Sequence, residues 1–534
     1  MRAARAALLG LLALVLLYPL ARLLLMPLVS MPLVSMPLVS IPLGTAADAA
    51  AGWRPWLNST LFALLTGLIV APMGAAIAHA LETRSGLAAR ALGLGLWGLF
   101  LLPGYVLTTG WLVVFSRPLL RNGLFGHLFL GEAGLAFLYV LKALPFAVFV
   151  ARSTFASASA SLREAALVLR LPGWRRMALS LRLVLPAMAA AFAIGAIETM
   201  QDFGIPATLG VTARIPILTY SIYRRLDTTP TDFTGAALLC WWLVASAALL
   251  TLLQCAVQRR WRAALVHGKA RGQVRRPPAG GERLGLAVAA LLLWGLGLAM
   301  PLLALAGVAL AGAGEGGALH AVPRSLGYGV LAASLALCVS AALLRLQHGR
   351  HPLFRGVIHA GLTANMAVPG LVLGAGYVVA FNNDVLPLYG TALLLVIAYA
   401  AGALPMAIRL LDGAMAQRDE RLDEAARIFA LSWPTRLIDI EAASLIRPAL
   451  HAWLLVVGAV MFELPVSELL YVPGQMPLGV AIVSADMMGR YGAAARLALL
   501  AMGVLAMLAV GLTWAVRLSG HGALRSGRRD ELLP

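Results

Sequence analysis

The chain has 534 residues, of which 61% are hydrophobic and only 12% are charged. Soluble proteins carry roughly 25% charged residues, so this chain has too few polar side chains to cover a water-facing surface. Lipid accepts apolar side chains on the outside of a helix bundle, and we expect an all-α polytopic membrane protein. The net charge of +19 does not indicate nucleic-acid binding, because the arginines lie in short clusters between apolar stretches, as topology signals do.

Membrane-crossing helices need roughly 20 mostly apolar residues, and about twelve stretches meet that requirement. They form two groups of six, near 6–29, 57–81, 91–116, 131–151, 184–210 and 233–257, then near 284–312, 325–344, 357–381, 387–411, 448–471 and 492–517. The grouping predicts about 12 transmembrane helices arranged as two six-helix modules in tandem.

A basic, glycine- and proline-containing segment separates the two groups of helices. We predict a first module at 1–257, with its core at about 57–257, and a second module at 284–517. Residues 258–283 would form a cytoplasmic linker and 518–534 a cytoplasmic tail. This organisation predicts an internal structural repeat.

The distribution of arginine predicts the orientation in the membrane. Arg2 and Arg5 precede the first apolar stretch, which favours a cytoplasmic N-terminus. Alternation from there places both termini and the arginine-rich segments on the cytoplasmic side, namely 82–90, 152–183, 258–283, 345–356, 412–447 and 518–534. Five arginines of the outside loops depart from the pattern: Arg117, Arg121, Arg214, Arg224 and Arg225.

The N-terminal apolar stretch has two interpretations, a cleavable signal peptide or a retained first helix. No clean small-residue cleavage site follows it, and we favour a retained helix. A Met-Pro-Leu-Val-Ser repeat then covers 26–40. Its regularly spaced prolines predict an extended or kinked segment, and a tandem expansion without function is the alternative.

Two long, helix-prone cytoplasmic loops occupy equivalent positions, between the fourth and fifth helices of each group. The first begins with Glu164-Ala165-Ala166 and turns at Pro172-Gly173, and the second begins with Glu424-Ala425-Ala426 and turns at Ser432-Trp433-Pro434. A third Glu-Ala-Ala, at 441–443, shows that the tripeptide alone is weak evidence. The equivalent position of the two loops is the stronger signal.

These loops resemble the EAA loops of ABC importer permeases, in which Glu-Ala-Ala is followed by a glycine and then by Ile-x-Leu-Pro. The second loop keeps the spacing but has Ala430 at the glycine position. The first keeps Gly173 with three extra residues before it, or has Arg170 in place of the glycine. The resemblance implies that both loops dock ATPase subunits, and the two copies differ enough to predict unequal engagement.

Two further segments resemble the ferric-iron importer permeases, which are related to thiamine permeases. The first contains Glu198 and Asp202-Phe203-Gly204, followed by Thr219 and Ile222-Tyr223. The second is Glu463-Leu464-Pro465. The resemblance implies a permease that imports ferric iron, with thiamine, a phosphonate or a polyamine as alternative cargo.

The resemblance also implies the partners and the location. They are two copies of a cytoplasmic ABC ATPase, a periplasmic or lipid-anchored substrate-binding protein, and the lipid of a bacterial inner membrane. The sequence contains no Gly-x-x-x-x-Gly-Lys-Ser/Thr motif. We therefore expect a transport subunit that is not itself an enzyme and binds no cofactor or metal, with ATP hydrolysed by the partner.

Carboxylates within the apolar stretches are candidate translocation-path residues, because a charge in the membrane usually faces a bundle interior or a water-filled path. Four stand out: Glu198, Asp202, Glu463 and Glu468. Oxygen ligands suit a hard cation such as ferric iron. The structural alternative is that these residues cap helix ends or pair with Arg224 or Arg225.

Two other classes of function are compatible with a polytopic chain. An ion-gradient-driven secondary transporter would have interrupted helices and midplane ion ligands but no paired docking loops. A membrane-embedded enzyme would have clustered His, Asp or Cys at one membrane face. The paired loops favour the importer over both.

Overall fold

A computed structural model gives the fold. The residues that it describes are 10–29, 46–157, 172–262, 275–312, 318–347, 368–416, 428–429, 432, 435 and 443–530. We call the described residues up to 262 the first half and those from 275 onward the second half. Within these ranges the regular structure is helical, apart from one isolated β-bridge between Arg84 and Arg276.

The helices of the first half are α1 (Tyr18–Val29), α2 (Ala46–Thr83), α3 (Leu87–Leu101), α4 (Gly104–Phe115), α5 (Pro118–Arg121), α6 (Leu124–Phe129), α7 (Glu132–Ser157), α8 (Gly173–Gln201), α9 (Leu218–Asp227) and α10 (Phe233–Arg262). Those of the second half are α11 (Gly280–Leu292), α12 (Met300–Ala311), α13 (Ala321–Gln347), α14 (Gly370–Phe381), α15 (Ala392–Ala416), α16 (Ala443–Met461), α17 (Pro465–Leu470), α18 (Leu478–Met487) and α19 (Tyr491–Asp530). Three π-helical turns lie at Ala13–Leu17, Pro206–Gly210 and Leu293–Ala299.

Among the described residues, nine helical segments are long and apolar enough to cross a membrane. A tenth span results if α3 and α4, which meet at an angle of 100°, are counted as one broken span. The two remaining predicted stretches correspond to the shorter helices Gly370–Phe381 and Leu445–Met461. The predicted all-α polytopic class is confirmed, whereas the count of twelve full-length spans is not reached within the described ranges.

The outer surface of the bundle is apolar. Large hydrophobic side chains on several spanning helices are exposed, among them Leu68 at 66%, Leu249 at 68% and Leu303 at 72%. A water-facing protein seldom exposes so many large apolar side chains together. In lipid the same surface carries no penalty, so this surface supports the assignment to a membrane.

A proline-glycine pair lies at the start of a short helix in each half, and in the first half it breaks the span formed by α3 and α4. Pro103 precedes α4 with φ −62° and ψ 144°, and Pro369 precedes α14 with φ −60° and ψ 144°. Proline has no N–H to donate to the preceding turn, so the helical hydrogen bonding stops there. The two halves therefore share this proline-glycine helix start, and each start lies near a carboxylate described below.

The N-terminal helical span of each half, which is α1 in the first half and α11 with α12 in the second, packs against the opposite half. In the first half, α1 contacts α14, and in the second half, α12 contacts α4. Tyr377 in α14 donates its hydroxyl hydrogen to the Val15 carbonyl oxygen at 2.9 Å. Trp111 in α4 donates its indole N–H to the Leu296 carbonyl oxygen at 3.2 Å. Both acceptors lie in π-helical turns, where the altered hydrogen-bond pattern frees carbonyl groups for such contacts.

Glycines allow α4 to approach α12 closely and α14 to approach α1 closely. A methyl group built on Gly110 would lie 2.8 Å from the Pro301 carbonyl oxygen, and one on Gly376 would lie 2.9 Å from the Pro19 carbonyl oxygen. Small residues let helix backbones approach closely in membranes, where packing replaces the hydrophobic driving force. The two contacts therefore tie the halves together reciprocally.

Several sequence predictions about the connections need correction or lie outside the described residues. The linker predicted at 258–283 overlaps helix at both ends, because α10 continues to Arg262 and α11 begins at Gly280. Of the Met-Pro-Leu-Val-Ser repeat, only Met26–Val29 is described, and it is helical with Pro27 inside α1. The tail predicted from 518 onward is the end of α19 up to Asp530.

Candidate functional site

A cavity of about 430 Å³ opens between the two halves of the chain. The first half contributes the α3–α4 break and parts of α7 and α8, and the second half contributes parts of α15, α16 and α19. Most of the wall is apolar, with Phe100, Phe146, Phe203 and Phe462 among its residues. The acidic and basic side chains that line it are Lys142, Glu198, Asp202 and Glu463. Three carboxyl groups and one amino group therefore share one cavity within the bundle.

Asp202 lies immediately after the end of α8. The helix ends at Gln201, and Asp202 has extended geometry with φ −65° and ψ 135°. Its Oδ2 accepts a hydrogen bond from the Ile205 N–H at 2.9 Å, and its backbone carbonyl accepts one from the Thr219 hydroxyl at 2.8 Å. The helix therefore ends between Glu198 and Asp202. Both side chains nevertheless line the same cavity.

Glu463 has a similar position after α16, which ends at Met461. Its Oε1 accepts a hydrogen bond from the Val466 N–H at 2.8 Å. Its Oε2 accepts from both the N–H and the hydroxyl of Ser467, each at 2.9 Å. These bonds satisfy the free N–H groups at the start of α17. Helix-end capping, the structural alternative, is thus observed for Asp202 and Glu463.

Each of these two carboxylates also lies near the proline-glycine helix start of its own half. A methyl group built on Gly104 would be 3.2 Å from Asp202 Oδ1, and one on Gly370 would be 3.8 Å from Glu463 Oε1. Glycine at the break therefore leaves room for the carboxylate at Asp202 in particular. The cavity wall thus combines the α3–α4 break of the first half with acidic side chains from both halves.

Lys142 is the cavity residue that the sequence prediction missed. Its Nζ donates a hydrogen bond to the Leu102 carbonyl oxygen at 2.8 Å and lies 5.9 Å from the centre of the Phe146 ring. Its charge interacts with those of Glu198 and Asp202, although no ion pair with Lys142 occurs within the described residues. The sequence held a signal, because Lys142 is the one charged residue between Glu132 and Arg152.

The fourth predicted carboxylate does not line the cavity. Glu468 lies in the short helix α17, where its charge interacts with Asp227 and with the tyrosines at 223 and 471. Pairing with Arg224 or Arg225, the other structural alternative, is not observed among the described residues, where Arg225 forms an ion pair with Asp232. Of the four predicted acidic residues, the structure therefore brings Glu198, Asp202 and Glu463 together.

The predicted ATPase-docking loops fall mostly outside the described residues. Their undescribed members are Glu164, Ala165, Ala166, Glu424, Ala425, Ala426 and Ala430. Gly173 is described as the first residue of α8, preceded by Pro172 with φ −60° and ψ 153°. Proline just before a helix start is a common arrangement, since its fixed φ suits the position. The docking role of both loops remains a prediction.

A metal site in the cavity would need several ligating side chains that converge on one point. In the ranges that the structure describes, no three His, Cys, Asp or Glu side chains converge as a metal-ligand set. The three cavity carboxylates are distributed along the wall, and two of them are engaged in backbone hydrogen bonds.

The fold and cavity define an all-α polytopic membrane protein with carboxylates facing an internal cavity between two halves. The chain is similar to two curated proteins. It is 25% identical over 347 residues, 60% of this chain and 53% of the relative, to the "Putative ferric transport system permease protein FbpB 1" of Haemophilus influenzae. It is 24% identical over 316 residues, 55% of this chain and 46% of the relative, to the "Ferric transport system permease protein FbpB" of Actinobacillus pleuropneumoniae.

The chain thus spans about half the length of the curated relatives that it matches. It matches no protein-family model.

Proposed function

We propose that the chain is the membrane-spanning subunit of an ATP-driven, binding-protein-dependent ABC importer, and that its cargo is ferric iron. The observation that carries the proposal is the similarity to two ferric transport permeases over more than half of the chain. The cavity lined by Glu198, Asp202 and Glu463 supports a cationic cargo, because hard cations prefer oxygen ligands. Thiamine, which is also cationic, is the alternative that the same cavity would accept.

The proposed architecture is a tandem of two permease modules joined by the basic linker. Equivalent contacts in the two halves support it. Ser59 Oγ accepts a hydrogen bond from the Leu218 N–H at 2.9 Å, and Ser325 Oγ accepts one from the Leu478 N–H at 2.7 Å. The reciprocal packing of α1 and α12 and the paired proline-glycine helix starts follow the same correspondence. A single chain of this kind would supply both halves of a translocation path.

The proposed mechanism is alternating access. A partner ATPase dimer closes on ATP and moves the two docking loops, which begin at Glu164 and Glu424. The two halves then rock against each other and open the cavity to the outer side, where a substrate-binding protein delivers the cargo. ATP hydrolysis resets the inward-facing state. Because the cavity lies between the halves, this motion would change its access without unfolding either half.

The proposed energy coupling is tested by altering the docking loops. We expect Glu164→Ala with Glu424→Ala to abolish uptake and to reduce retention of the ATPase subunit during purification. Glu441→Ala is the matched control, because it alters a third Glu-Ala-Ala at a different position in the second loop. Full uptake and normal ATPase retention in the double variant would contradict the proposal and favour an ion-gradient-driven transporter.

A further inference from the structure

A second cavity, of about 370 Å³, lies at one end of the helix bundle. It is found where the α2–α3 loop meets the end of α7 and the chain segment before α11. Among the described residues, the charged side chains that line it are four arginines and no carboxylates: Arg84, Arg90, Arg152 and Arg275. The proposed importer mechanism does not use this cavity, and the charge pattern of the sequence predicts that this end of the bundle is cytoplasmic.

The positive charge of this cavity is only partly balanced. Arg152 Nε lies 2.8 Å from Glu82 Oε1, and Arg84 forms an ion pair with Glu282. Arg90 and Arg275 have no ion-pair partner within the described residues, and both are exposed. Two guanidinium groups are therefore available to an anion, and two more are held beside them by carboxylates.

Backbone geometry adds to the positive character. The 15-residue helix α3 begins at the cavity, with Gly86 before it at φ 116° and no side chain capping the helix start. The N–H groups of the first helical turn have no acceptor within the helix and carry the positive end of its dipole. The left-handed φ at Gly86 favours glycine. The first turn of α3 thus presents donors to the same space as the arginines.

The cavity is assembled by contacts between distant parts of the chain. The Arg276 N–H donates to the Thr83 carbonyl at 3.0 Å, and the Ser85 N–H donates to the Arg276 carbonyl at 2.9 Å. This pairing fixes the segment before α11 against the α2–α3 loop and so positions Arg275 beside Arg84 and Arg90. The three segments therefore form a defined pocket and not a diffuse basic surface.

We propose that this pocket binds the phosphate group of an anionic ligand. Guanidinium groups match phosphate oxygens with paired hydrogen bonds, and helix starts favour the same group. The phosphate could belong to an anionic phospholipid headgroup or to a soluble phosphate. The pocket borders apolar Leu81 and Ala89 at the end of two helices, and anionic lipids are attracted to basic residues at the cytoplasmic leaflet. The experiment below distinguishes a lipid headgroup from a soluble phosphate.

The experiment measures the thermal unfolding midpoint of the purified full chain in neutral detergent. The probes are short-chain phosphatidylglycerol, short-chain phosphatidylcholine and inorganic phosphate. The variant is Arg90→Gln with Arg275→Gln. The matched control, Arg117→Gln with Arg447→Gln, removes two exposed arginines that lie outside the pocket. Without added probe, each double variant should unfold within about 2 °C of the unaltered chain, since the substituted residues are exposed and form no ion pair.

We expect phosphatidylglycerol to raise the midpoint of the unaltered chain and of the control by at least about 3 °C, and to raise that of the pocket variant by less than half as much. Phosphatidylcholine should have no effect. If inorganic phosphate reproduces the shift, the site takes a soluble phosphate, and if only phosphatidylglycerol does, it takes a lipid headgroup. Equal responses of the unaltered chain and the pocket variant to the two anionic probes, phosphatidylglycerol and inorganic phosphate, would overturn the proposal.

Discussion

Asp202 and Glu463 have equivalent positions in the two halves of the chain. Each follows the end of a long helix and accepts a hydrogen bond from the N–H three residues ahead, Asp202 from Ile205 at 2.9 Å and Glu463 from Val466 at 2.8 Å. Each lies near the proline-glycine helix start of its own half, at Gly104 or Gly370, and both line the cavity between the halves. The carboxylates thus combine a local role at a helix start with a position on the proposed cargo path.

The charge of these two carboxylates can be separated from their capping role. Asp202→Asn and Glu463→Gln keep a carbonyl oxygen that can accept the same N–H but remove the negative charge. We expect each variant to lower uptake of ferric iron at least about tenfold, the effect of losing roughly 1.4 kcal/mol of favourable interaction with the cargo. The measurement is the initial rate of radioactive iron uptake into vesicles that contain equal amounts of protein.

The matched control for these variants is Asp384→Asn, which neutralises an exposed carboxylate outside the cavity. We expect it to leave uptake unchanged. Full uptake in both cavity variants would show that the two carboxylates serve only as helix caps.

Lys142 opposes the charge of the cavity carboxylates. Without its amino group, Glu198 and Asp202 would hold a bound cation more tightly and release it more slowly. We therefore expect Lys142→Gln to lower both the half-saturating cargo concentration and the maximal uptake rate, each by roughly fivefold or more. Lys142→Arg keeps the charge and should retain most of the rate. Unchanged concentration dependence in Lys142→Gln would remove Lys142 from the proposed path.

The reciprocal packing between the halves predicts a contrast between two glycines. Gly110 contacts Pro301 closely, whereas a methyl group on Gly307, in the partner helix α12, would meet no atom within 4 Å. Overpacking of a tight contact costs about 1–3 kcal/mol, so Gly110→Ala should lower the unfolding midpoint by several degrees. Gly307→Ala should leave it unchanged or raise it. Equal midpoints in a fluorescence-detected thermal melt would contradict the close contact between α4 and α12.

The same packing predicts that the two halves associate without a covalent link. A chain divided at residue 268, within the predicted linker, would yield two fragments whose contacts through α1 with α14 and through α4 with α12 remain intact. We expect the co-expressed fragments to purify together through an affinity tag on one of them. Recovery of the tagged fragment alone would show that the linker is needed to hold the halves together.

Much of the fold was predictable because apolar length is a local property of the sequence. Each predicted stretch contains at least part of one described helix. The carboxylates at 198, 202 and 463 stood out because charged residues are rare in such apolar stretches. The break at Pro103 was present in the sequence as a proline-glycine pair but lay inside a stretch long enough to read as one span. In the structure the two helices on either side of it meet at 100°.

Other features could not be predicted because they depend on contacts between distant segments. Nothing in the local pattern of Val15 or Leu296 indicates that a π-helical turn there accepts a hydrogen bond from Tyr377 or Trp111. Glu468 has the same sequence character as Glu463, and only the fold separates it from the cavity. Lys142 has the clearest missed signal, since a lone lysine in an apolar stretch is as rare as a lone carboxylate.

The energy source of transport tests the central proposal most directly. The measurement is radioactive ferric-iron uptake into vesicles that contain this chain and its ATPase partner, with the iron-loaded binding protein outside and either ATP or an ion gradient supplied. We predict uptake with ATP inside, none with a non-hydrolysable analogue, and none with a proton or sodium gradient alone. Uptake driven by an ion gradient in vesicles that lack the ATPase would contradict the account.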